Sequence, residues 1–70
     1  MTNEEKKEIL ADILELDEVT EDMILEELET WDSVAILSVI SVMDEKFGKY
    51  PHASEIMKYK TVNDLMNAME

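Results

Sequence analysis

The sequence has no cysteine, one glycine, one proline and six basic residues in a chain of 70. Without thiols there is no disulfide, no thiolate zinc site and no thiol nucleophile, so nothing staples the chain covalently. A single glycine excludes a glycine-rich phosphate loop. Scarce Gly and Pro, with 46% apolar residues spread from end to end, argue against collagen, disorder and a repeat array, and point to a compact helical domain. No apolar run approaches membrane-spanning length, and the acidic start MTNEEKKEIL has no long apolar core, so it is not a secretory signal. A cytoplasmic protein without membrane insertion is expected. Seventy residues fit a single domain, residues 1–70, with too modest a core for most self-contained active sites, which argues against an enzyme.

Acids are what the chain has in excess. Eighteen Asp and Glu against six Lys and Arg give a formal charge of −12. Residues 1–32 hold 13 acids and 2 bases, while residues 33–70 hold 5 acids and 4 bases. Such a surface repels nucleic-acid phosphates and anionic lipid headgroups and steers basic protein surfaces inward, so basic proteins are the expected partners and nucleic acid is not. Like charge disfavours close self-association, which predicts a monomer. The acids also serve simply to keep a small domain in solution. Their mutual repulsion predicts a melting temperature that rises with salt or divalent cations.

Thr2 and Glu5 have capping-box spacing, and Ile9, Leu10, Ile13, Leu14 and Leu16 recur at helical intervals, predicting a helix over 3–16 whose other face is Glu, Lys and Asp. A long acidic connection follows, with Val19, Met23, Ile24, Leu25 and Leu28 as apolar anchors and Thr20 as a candidate cap for a short helical turn. Asp32 is a good N-cap and Gly48 a good stop, predicting a second helix that starts at Ser33. Trp31 and Ile36 have the spacing of a hydrophobic staple across that start. Ile36, Val39, Ile40, Met43 and Phe47 form one core stripe, whereas Val34, Ala35, Leu37 and Val42 fall outside it and leave apolar surface for something else to cover. EIMKYK predicts a short third helix, and Thr61 with Asp64 frames the start of a last one. The expected fold class is all-α, a small four-helix bundle of three main helices plus a short one.

Few constellations could carry chemistry. His52 has no visible relay and reads as a solvated turn residue. Asp17, Glu18, Glu21 and Asp22 lack the spacing of a calcium loop, so they allow only adventitious cation binding. Met43, Met57, Met66 and Met69 read as core filler, or as the pliable wall of a pocket for variable apolar cargo. Ser33 stands out. A serine at a helix start is ordinarily a cap or near-cap, but this one should expose its hydroxyl where a helix N-terminus favours an attached phosphate. Without a neighbouring base it suits being modified better than attacking a substrate.

The stretch WDSVAILSVISVMDEKFG resembles the Asp-Ser-Leu attachment motif and long second helix of acyl carrier proteins and related phosphopantetheine-binding carrier domains. The resemblance extends over essentially the whole chain, through Phe47 and the Thr61-Val62 start of the last helix. It implies a bundle of the acyl-carrier-protein type in which Ser33, beside Asp32, carries a 4′-phosphopantetheine arm donated by coenzyme A through a phosphopantetheinyl transferase. The arm would hold acyl or aminoacyl groups as thioesters and present them to loading and transferring enzymes with basic docking surfaces, the cargo being sheltered between the second helix and the segment around Ile56 and Tyr59. Val34 stands where the family usually has Leu, and Ala35 and Ser38 stand where many fatty-acid carriers place acids. Recognition is therefore expected to lean on Val34, Leu37 and Ser41, with Asp44 and Glu45 supplying charge lower down. These departures, with Trp31 before Asp-Ser, imply a free-standing carrier in a specialised pathway, such as secondary-metabolite or cell-surface polymer synthesis. The alternative is an acidic interaction module or nucleic-acid mimic with no covalent modification, which accounts for the charge but not for apolar Val34 and Leu37 beside Ser33. A small hydrolase built on Ser33 is disfavoured by size and by the missing base.

Overall fold

The three longer helices each begin at a residue whose side chain accepts a backbone N–H. In the computed structural model, which describes residues 2–69, α1 spans Asn3–Leu14, α2 Ser33–Phe47, α3 Ala53–Ile56 and α4 Val62–Ala68. Thr2 Oγ1 accepts from the Glu5 N–H at 3.2 Å while Glu5 Oε1 accepts from the Thr2 N–H at 3.3 Å. Thr61 and Asp64 repeat this reciprocal box at α4. Asp32 Oδ1 accepts from the Ala35 N–H at 3.0 Å, and Gly48, with φ 67, ends α2 in the left-handed region where a residue without Cβ is unstrained. The expected all-α arrangement of three main helices and a short one is the fold adopted.

Helix α2 is the centre of the packing. It lies against α1 and α3, and α1 also contacts α4. Leu10 and Leu14 of α1, Val39 and Met43 of α2, Ile56 of α3 and Leu65 of α4 meet in one core. The predicted stripe is buried from Ile36 to Met43, with Phe47 half-buried at its end. Ala35 and Val42, outside the stripe, are nevertheless buried and half-buried, whereas Val34 and Leu37 stay 69% and 63% exposed.

Several local expectations are corrected. The helix expected over 3–16 stops at Leu14, because Glu15 turns left-handed (φ 57) and the Leu16 N–H returns to Ala11 O at 2.9 Å. Lys6, expected on the solvated face, is buried, its Nζ donating to Met66 O at 3.2 Å and tying α1 to α4. Thr20 caps no helix. Its hydroxyl donates to Asp22 Oδ1 at 2.6 Å, and the helical turn of the connection is a 3₁₀ turn at Leu25–Glu27. The backbone before that turn is used in tertiary contacts: Leu25 N–H donates to Lys60 O (2.8 Å), Val62 N–H to Met23 O (3.0 Å) and Asn63 N–H to Glu21 O (3.0 Å), around an isolated antiparallel bridge between Ile24 and Thr61. The third helix lies at Ala53–Ile56, earlier than EIMKYK, because His52 O accepts from both Glu55 and Ile56 N–H, and Met57 and Lys58 continue only as a turn.

Candidate functional site

The chain enters α2 through a run of tight turns. The Trp31 N–H donates to Leu28 O at 3.1 Å, the Asp32 N–H to Thr30 O at 3.1 Å, and the Ile36 N–H to Asp32 O at 3.0 Å. Ser33 is therefore the first residue of the longest helix, and it is exposed. Among the described residues, none accepts from the Ser33 or Val34 N–H and none hydrogen-bonds the Ser33 hydroxyl. Two free amides and the partial positive charge of a 15-residue helix lie at this end of α2, a setting that suits a phosphate esterified to Ser33. The Asp32 carboxylate opposes that phosphate, but its Oδ1 is engaged by the Ala35 N–H. The residues present therefore fit a phosphodiester at this position, and among the described residues lining the adjoining cleft none is a base that would activate the hydroxyl as a nucleophile.

Val34, Leu37, Ser41, Asp44 and Glu45 are all exposed. At 3.6 residues per turn they fall within an arc of about 100°, and Ser33 borders the same arc. Ala35 is buried, so position 35 offers no docking surface, and the Ser38 hydroxyl donates to Val34 O at 3.0 Å.

Beside Ser33 lies an open cleft of about 390 Å³ lined by Glu26, Trp31, Asp32, Ser33, Ile36 and Met57. The staple pair Trp31 and Ile36 thus forms one wall. Met57, read from sequence as core filler with Met43, Met66 and Met69, is 64% exposed, whereas the other three are buried. Ile56 is fully buried and Tyr59 half-buried, so of the segment expected to shelter cargo it is Met57 that reaches the cleft. Sequence periodicity misses this, because a four-residue helix is too short to show which side faces inward. On the other side of the α2 start, Glu15, Glu29, Thr30 and Val34 border a second groove, and Thr30 Oγ1 is buried there without a described partner. His52 is exposed at the start of α3. Among the described residues no group of three His, Cys, Asp or Glu is arranged to hold a metal ion, and no helix is long and apolar enough to cross a membrane.

No curated protein and no solved structure matches the chain significantly. The profile of the family described as the phosphopantetheine attachment site does match, over residues 7–69. That span takes in all of α2, the cleft and the capped start of α4 as well as most of α1. Since the match covers nearly the whole chain and the fold is a small all-α bundle, this protein belongs to the phosphopantetheine attachment site family, carrier domains to which 4′-phosphopantetheine is covalently attached.

Proposed function

We propose that Ser33 is the attachment residue, and that residues 1–70 act as one monomeric carrier domain of the cytoplasm that conveys acyl or aminoacyl groups in a specialised biosynthetic pathway and catalyses no reaction itself. The observation that carries this assignment is the exposed Ser33 hydroxyl at a capped helix start with two free amides. The other serines lack that setting: Ser38 is half-buried and bonded to Val34 O, Ser41 lies within α2, and Ser54 lies in the four-residue α3.

The attached group supplies a terminal thiol that holds cargo as a thioester. Ser33 Oγ offers the anchoring oxygen, and the base that takes its proton belongs to the transferase. Asp32 fixes the helix start, and with it the place of the Ser33 backbone relative to the docking face. Val34 and Leu37 give incoming enzymes apolar contact, while Asp44 and Glu45, about two to three turns further along α2, attract their basic residues.

Incubation with coenzyme A and a broad-specificity phosphopantetheinyl transferase should add one phosphopantetheine mass to the wild type, and Ser33→Ala should add none. An unmodified wild type beside an active control carrier, or a modified Ser33→Ala, would overturn the assignment.

A further inference from the structure

The cleft beside Ser33 has an uneven chemistry. Its apolar lining residues are Trp31, Ile36 and Met57, its charged ones are the acids Glu26 and Asp32, and no base lines it. Lys58 and Lys60 flank Met57 closely in sequence, yet both are exposed, neither lines the cleft, and neither pairs with Glu26 among the described residues. Asp32 Oδ1 is occupied by the Ala35 N–H, whereas Oδ2 has no described partner. We propose that this cleft takes a short cargo bearing a free ammonium group, an aminoacyl thioester in preference to a simple acyl or a carboxyacyl one. The inference rests on Ser33 bearing the arm.

Each class of cargo meets the same walls differently. The methylenes of any short chain can lie on Ile36 and Met57. Only an ammonium also gains from the Glu26 and Asp32 carboxylates. A neutral acyl group forgoes those contacts and sets apolar carbon beside charged oxygens. A carboxylate-ended cargo is repelled by both acids. Charge and shape therefore favour the aminoacyl cargo.

Apo-protein would be loaded by the transferase from β-alanyl-, butyryl- and malonyl-coenzyme A, the first two being nearly isosteric, with intact mass confirming one adduct. Two quantities are read: the emission of Trp31, the single tryptophan, and the lifetime of each thioester against hydroxylamine relative to the same thioester on free pantetheine. The β-alanyl form should shift the Trp31 emission and live about two- to fivefold longer than its free counterpart, and Glu26→Gln should remove most of that protection. The butyryl and malonyl forms should stay close to their free counterparts in both backgrounds. Equal protection of butyryl, or β-alanyl protection untouched by Glu26→Gln, overturns this inference alone. Absence of any adduct overturns the Ser33 assignment and this inference with it.

Discussion

At the scale of single residues, the most informative position is Glu15. Its left-handed backbone (φ 57, ψ 39) costs a residue with a Cβ about 1–2 kcal/mol. The strain is accepted because the reversal lets the Leu16 N–H reach Ala11 O and turns Leu16, half-buried, back onto the core. Glycine would remove the strain but lose more backbone entropy on folding, a cost of about 0.5–1 kcal/mol. Glu15→Gly should therefore stabilise the domain by about 0.5–1 kcal/mol and raise its melting temperature by about 4 °C. Glu15→Gln removes the same charge without touching the backbone preference. A rise as large in Glu15→Gln would show that charge, not conformation, is responsible. The stop at Glu15 was illegible in the sequence because the helical pattern runs on to Leu16 and neither Gly nor Asn marks the end. At Gly48 the mark is present in the sequence, and α2 ends there. Lys6 departs from the solvated face for a different reason: its acceptor, Met66 O, lies 60 residues away, and no local pattern announces it.

At the scale of elements, the joint between α3 and α4 carries a pH dependence. Asp64 Oδ2 accepts from the N–H groups of Thr61 and Lys60, each at 3.2 Å, and these backbone bonds, Thr61 first, hold its carboxyl below the ordinary 3.8. A carboxylate with a depressed folded-state pKa stabilises the fold above its unfolded pKa, and that contribution is lost as pH falls through the folded value. Asp64→Asn should therefore lower the melting temperature at pH 7, and the gap from wild type should narrow below about pH 4. Paired thermal melts at pH 7 and pH 3 check this, and an unchanged gap would assign the loss to packing or geometry instead. The box that holds Asp64 was readable from Thr61 and Asp64 alone, as was the one at Thr2 and Glu5, because each cap and its acceptor lie three residues apart. So were the Asp32 cap and the exposure of Ser33, Val34 and Leu37, since one helical period fixes them. What failed at this scale was the Thr20 cap: the 17–30 stretch is the long connection with one helical turn that the sequence predicts, but the turn lies at Leu25–Glu27. The connection's backbone pairs with residues 60–63, and such long-range bonds displaced the local helix that Thr20, Glu21 and Asp22 suggested. Met57 became a wall of the cleft for the same reason: the packing of the short α3 against α2, not any local signal, turned it outward.

At the scale of the whole molecule, a formal charge of −12 occupies a body of 26 × 25 × 17 Å. Its radius of gyration, 10.7 Å, is that of an ordinary folded chain of this length, so the fold does not expand to relieve the repulsion. Among the described residues the ion pair is Lys7 with Glu21 at 3.3 Å, and both partners are substantially exposed, so pairing offsets little of the excess. The screening length decides how much of that repulsion the fold feels. At 0.01 M ionic strength it is about 30 Å, longer than any dimension of the molecule, so each acid interacts with all the others. At 0.1 M it is about 10 Å, and only near neighbours remain coupled. The melting temperature should therefore rise steeply with sodium chloride from 0.01 to 0.1 M and more slowly beyond. With no metal-binding cluster among the described residues, magnesium and sodium chloride should follow nearly the same curve when compared at equal ionic strength. A curve that is flat or falls with sodium chloride would mean that the acids are spaced widely enough not to destabilise the fold. A rise with magnesium far above the sodium curve would instead mean that particular carboxylates gather around a discrete cation, and the diffuse-field account of the charge would fail.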